Sequence, residues 1–146
     1  MTFKSTNNKK YLGIDWGEKR IGLALGDNET GVATPFKVAG GIDEVVQIIK
    51  EEGIDMAVVG KPLKMANVDL RLSNDFVKFL DLLKKKVKIP IKTVDERLTS
   101  KAADALVGDK RTKAPRDAVA AMIILQSYLD KKYNANAANK IPLRPL

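Results

Sequence analysis

Tyr11-Leu-Gly-Ile-Asp15-Trp-Gly-Glu-Lys19-Arg20-Ile-Gly-Leu-Ala-Leu-Gly26 is the stretch whose reading decides the fold. Its first five residues have alternating apolar character and stop at an acid followed by Trp16-Gly17, the pattern of a strand running into a turn. From Arg20 the chain alternates again and places Ile21, Leu23 and Leu25 on one face. The short connection Gly17–Lys19 makes the two segments a β-hairpin. Thr30 to Val38 adds a third strand. Pro35 suits an edge position there, because it has no N–H to give to a ladder.

Further along, the hydrophobic period changes. Ile42, Val45, Val46 and Ile49 recur at helical spacing, with Gly53 where a helix C-cap belongs. Met56-Ala-Val-Val-Gly60 is a short continuous apolar run that fits a buried parallel strand. Leu72, Phe76, Phe79, Leu80 and Leu83 form a second helical stripe. Lys84, Lys85 and Lys86 close it as a solvated end favoured by the helix dipole. Ile89 to Val94 is another strand, running into Asp95-Glu96-Arg97. Thr99 or Ser100 caps a helix through Leu106, and a basic loop covers Gly108 to Thr112. Pro115, at a first helical position, opens a final helix from Asp117 to Lys132. The tail from Tyr133, rich in Asn and Ala, is expected to be loosely ordered.

Three antiparallel strands followed by alternating helices and strands predict an α/β fold, a mixed five-stranded sheet flanked by helices. The chain has 146 residues and no internal repeat, so one domain is expected over 1–146, with its core at about 11–130 and its tail at 133–146.

Composition then narrows the chemistry. There is no cysteine and no histidine. Disulfides, thiolate metal sites, Cys nucleophiles and Ser-His-Asp triads are all excluded. Any acid–base work falls to carboxylates, lysines or metal-bound water. Lys and Arg number 26 against 18 Asp and Glu, a net charge of +8 that suggests an anionic partner, nucleic acid before membrane. No apolar run is long enough for a transmembrane helix. Met1 to Lys10 lacks the apolar stretch of a signal peptide. A cytoplasmic protein without membrane attachment is the expectation.

Ligand sites in such sheets gather at the carboxyl ends of parallel strands, and Asp15, Lys61 and Glu96 stand at such ends. Asp117 falls in the first turn of the last helix, where the small neighbours Ala118, Ala120 and Ala121 allow a close approach to the sheet. Each acid alone has an ordinary explanation: a turn aspartate, a salt bridge with Arg97, a helix N-terminal acid. Together they would form one acidic centre, in which like charges raise one another's pKa until a cation relieves them. Oxygen ligands suit Mg²⁺ or Mn²⁺. Two such ions about 3.5–4 Å apart hydrolyse phosphodiesters without His or Cys. Strand alternation sets Asp95 and Glu96 on opposite faces and leaves the choice between them open.

Four motifs carry a family resemblance. They are Leu12-Gly-Ile-Asp15-Trp-Gly17-Glu-Lys19-Arg20-Ile-Gly22, Val59-Gly60-Lys61-Pro62-Leu63, Val94-Asp95-Glu96-Arg97-Leu98-Thr99, and the helix from Asp117 through Gln126 to Leu129. In this order they resemble the YqgF-type (RuvX-like) proteins, a branch of the RNase H-like nuclease fold, from about Tyr11 to Asp130. The resemblance implies a cytoplasmic, metal-dependent nuclease with ligands at Asp15, Glu96 and Asp117, maturing the 5′ end of small-subunit (16S) ribosomal RNA. It also implies a runner-up role in resolving Holliday junctions, where symmetric cleavage calls for a dimer.

A third reading is a nucleic-acid-binding or ribosome-assembly factor that does not cut. Met65-Ala66-Asn67 replaces the Asp-Gly usual in the family, and Lys61 replaces an apolar residue. Lys19, Arg20, Lys61, Arg97, Lys113 and Arg116 flank the site loops and are candidates for phosphate contacts to structured RNA, such as pre-ribosomal particles, or to branched DNA. Monomer and homodimer both remain open. Trp16 is expected to pack against the sheet rather than to stack on a base.

Overall fold

A computed structural model describes residues 8–61, 70–95 and 115–140. Their elements are β1 (Lys10–Asp15), β2 (Ile21–Asp27), β3 (Ala33–Ala39), α1 (Ile42–Glu51), β4 (Met56–Lys61), α2 (Leu70–Lys86), β5 (Ile91–Asp95) and α3 (Arg116–Lys140). The sheet order is β3-β2-β1-β4-β5. β1, β2 and β3 are antiparallel neighbours, while β4 and β5 run parallel to β1. This is the mixed five-stranded sheet expected from the sequence. The expected helix through Leu106 and the loop Gly108 to Thr112 lie outside the described residues.

Period-2 alternation gives the sheet two packed faces. Leu12, Ile14, Ile21, Leu23, Ala57 and Val59 point to one side, where Val45, Ile48 and Ile49 of α1 and Phe76, Phe79 and Leu83 of α2 cover them. Tyr11 and Val58 point to the other, beneath Ile124, Leu125 and Leu129 of α3. Burying such side chains stabilises the fold by roughly 1.5–3 kcal/mol each. α1 ends as its glycine foretold: Gly53 has φ +63°, and Ile54 N–H donates to the Ile49 carbonyl at 3.0 Å.

Pro35 does lie on an edge strand. Beside it the β2–β3 register slips, so that Leu23 faces Lys37 and Ala24 faces Pro35, leaving Phe36 as an extra residue. The turn before β3 is built by Asp27, whose Oδ1 accepts from Thr30 N at 2.7 Å and from Thr30 Oγ1 at 3.0 Å. Gly31 follows at φ +68°. The third strand therefore starts at Ala33, later than Thr30.

The C-terminal end departs from expectation in two ways. Pro115 stands before the helix rather than inside it, and its carbonyl accepts from Val119 N at 3.0 Å. The segment from Tyr133, expected to be loosely ordered, is helical as far as Lys140. Ala135, Ala137 and Ala138 explain this, since alanine is the strongest helix former and offsets the asparagines. Among the described residues no helix is long and apolar enough to cross a membrane.

Candidate active site

Asp15 is the last residue of β1, and the ladder fixes what stands beside it. Its antiparallel partner is Gly22 of β2, and its parallel partner is Gly60 of β4. Directly paired residues share a face, so Asp15 lies on the α3 side with Tyr11 and Gly13, between two positions that carry no side chain. Room is therefore left at the carboxyl end of β1.

The first turn of α3 comes down on that room. A Cβ added at Gly22 would overlap the Asp117 carbonyl and sit 3.0 Å from Ala118 N. One at Gly13 would lie 2.7 Å from the Ala121 carbonyl oxygen and 2.8 Å from Leu125 Cβ. Helix backbone thus rests on sheet backbone, as the small residues Ala118 and Ala121 suggested; both are fully buried. Asp117 is carried to the sheet beside the strand position that pairs with Asp15. Asp15 and the backbone of Asp117, 102 positions apart in sequence (117 − 15), are thereby brought to one end of one sheet face. Glycines inside strands are the signal for such close approach, but only the register shows which of them flank the acid.

The basic residues distribute around this end. Arg20, just before β2, places Nε 3.2 Å from Asp117 Oδ2. Lys19 is exposed in the turn after β1, Lys61 is exposed at the last position of β4, and Arg116 is exposed at the start of α3. Glu96, Arg97, Lys113 and the Met65-Ala66-Asn67 turn lie outside the described residues. Among the described residues no three acidic side chains come close enough to hold a metal ion. Trp16 packs against the core cluster formed by the sheet and α2, with its ring 5.6 Å from that of Phe76 and 6.4 Å from that of Phe79. It braces the strand end that presents Asp15.

The donor set is compatible with a hard divalent cation: it offers carboxylate oxygen, and the chain contains no imidazole or thiolate to compete. The family model of RuvX, described as a Holliday junction resolvase, matches residues 9–131. The chain belongs to the RuvX family. A relative from Chloroflexus aurantiacus, 34% identical over 93% of this chain and 97% of its own length, carries the provisional name pre-16S rRNA nuclease. One from Shewanella oneidensis, 38% identical over 87% of this chain and 98% of its own, carries the same name.

Among solved structures, Thermus thermophilus RuvC in complex with a Holliday junction substrate superposes with a TM-score of 0.60 at 13% identity, covering 85% of this chain and 96% of that one. Fowlpox virus resolvase with junction DNA gives 0.56 at 10% identity, covering 84% and 98%. At such identities the likeness is one of fold, and that fold is the RNase H-like one. The RuvX motifs and the sheet order therefore agree.

Proposed function

We propose that this RuvX-family chain is a cytoplasmic, metal-dependent endonuclease that hydrolyses phosphodiester bonds in precursor 16S ribosomal RNA. One observation carries the reading: Asp15 stands between Gly22 and Gly60, and the Gly22 contact brings Asp117 to the same end of the sheet. Two acids brought to one strand end favour a cation beside them, and Arg20 already supplies one positive charge at Asp117.

In this reading Asp15, Glu96 and Asp117 hold Mg²⁺ or Mn²⁺. Glu96 is preferred to Asp95 from the family resemblance. Bound metal would supply an activated water and charge neutralisation at the phosphate. The protein's own part is orientation. The β1 backbone and the braced Trp16 fix Asp15, while the helix–sheet contact fixes Asp117. Lys19, Lys61 and Arg116, together with Arg97 and Lys113, position the strand by its phosphates.

A second reading, resolution of four-way DNA junctions, is favoured by the family's description and by the junction-bound structures of the same fold. Purified protein is given a precursor 16S RNA carrying its 5′ extension, and in parallel a four-way DNA junction, each with Mg²⁺ and with chelator. The proposal expects metal-stimulated cutting of the RNA at a rate well above that of the junction. The reverse ranking establishes the second reading. Tight binding with no cutting of either substrate in Mg²⁺ or Mn²⁺ overturns both in favour of a non-catalytic assembly factor.

A further inference from the structure

Arg20 occupies an unusual place for a phosphate-contacting residue. It ends the loop between β1 and β2, two positions before Gly22, where the sheet backbone is pressed against Asp117. Its side chain is 73% exposed and that of Asp117 29%, yet the two meet at 3.2 Å through Nε. The backbone on both sides of this pair is fixed by the helix–sheet contact, whereas the guanidinium approaches from solvent. It can therefore leave Asp117 by side-chain rotation alone. Exposed ion pairs of this kind couple weakly, by a factor of about 1.5–5 in an equilibrium constant. The contact is strong enough to compete with a cation and weak enough to be displaced by one.

We infer that Arg20 is an exchangeable counter-ion. In the metal-free protein it neutralises Asp117. When the carboxylates take up a divalent cation it releases Asp117 and receives a phosphate oxygen of the bound strand. Arginine suits both states, because its planar fork matches carboxylate and phosphate alike, and Nε can be engaged while the terminal nitrogens face outward. Uptake of metal and grip on the strand are then linked through one side chain. This inference rests on Asp117 being a metal ligand.

The test uses the full chain and Mn²⁺ alone, with affinity followed by calorimetry for the parent, Arg20→Gln, Arg20→Lys and Asp117→Asn. Thermal melting checks that each variant is folded, which the exposure of Arg20 leads one to expect. Arg20→Gln should bind Mn²⁺ about two- to fivefold more tightly than the parent, and Arg20→Lys should return to the parental value. Binding of a single-stranded RNA oligonucleotide in Ca²⁺ should move the opposite way for Arg20→Gln. It should weaken, with the slope of log affinity against log salt falling by about 0.7.

An unchanged or weaker Mn²⁺ affinity for Arg20→Gln overturns the exchange. If instead the parent and Asp117→Asn bind Mn²⁺ alike, the metal-ligand reading of Asp117 fails, and the exchange falls with it.

Discussion

Replacing Gly22 by alanine tests how the site is assembled. The added methyl points from β2 into the first turn of α3, overlaps the Asp117 carbonyl and abuts Ala118 N at 3.0 Å. These are backbone atoms, so no rotamer change relieves the overlap. Either the helix start lifts or the strand recedes. Overpacking of this sort costs about 1–3 kcal/mol, and the reduced freedom of the unfolded chain returns about 0.4–1 kcal/mol. A net loss of about 1–2 kcal/mol remains. At about 2–4 °C per kcal/mol for a domain of this size, the melting temperature should fall by about 2–8 °C.

The functional loss should exceed the loss of stability, because the shift moves Asp117 itself. Metal-dependent cleavage, measured well below the melting temperature, should drop by about tenfold or more, the scale of a displacement near 1 Å at a reacting site. Gly40→Ala is the control. Its nearest neighbour would be Glu44 Oε1 at 4.0 Å, so stability and cleavage should match the parent within about 0.5 kcal/mol. Parental melting and parental cleavage in Gly22→Ala would refute the claim that helix–sheet contact sets the site.

Two further perturbations address the frame around the site. Gln126 of α3 accepts from Ala33 N at 2.9 Å and donates to the Gly31 carbonyl at 2.9 Å, closing the start of the edge strand from 93 residues away. Gln126→Ala leaves those backbone groups without their partner and should cost about 1–3 kcal/mol in urea unfolding, with faster amide exchange at Ala33. Lys132 donates to Tyr11 Oη at 2.9 Å, and this bond raises its pKa above the ordinary 10.5, against a smaller lowering by burial. A raised cation pKa contributes stability below the unfolded value and loses it as pH climbs through the folded one. The stability gap between the parent and Tyr11→Phe should therefore be constant near neutrality and narrow above pH 10.5. Chemical denaturation across that range measures it.

Much of this architecture is legible in the residues themselves, for local reasons. Alternation over Ile21, Leu23 and Leu25 states which face is buried. Gly53 marks the end of α1 through its left-handed backbone, and Pro35 marks an edge through its missing N–H. The candidate acids Asp15 and Asp117 are legible too, because a strand end and a small-residue helix start are both local patterns.

Long-range features are not written this way. That Gly22 and Gly60 bracket Asp15 depends on the register of two different ladders, one antiparallel and one parallel. The Gln126 clamp and the Arg20–Asp117 pair each join segments more than 90 positions apart, and no periodicity announces them. Trp16 illustrates the same limit: its place against the core is legible, but its ring contacts with Phe76 and Phe79 depend on how α2 crosses that face.

The most direct measurement is cleavage of precursor 16S RNA in Mg²⁺ by the parent and by Asp15→Asn, read together with their melting curves. Removing one charge without changing shape should lower the rate by about 10²–10³-fold, the effect of deleting a principal electrostatic group from an active site, while melting stays within a few degrees of the parent. An Asp15→Asn protein that cuts this RNA as fast as the parent would contradict the carboxylate mechanism outright.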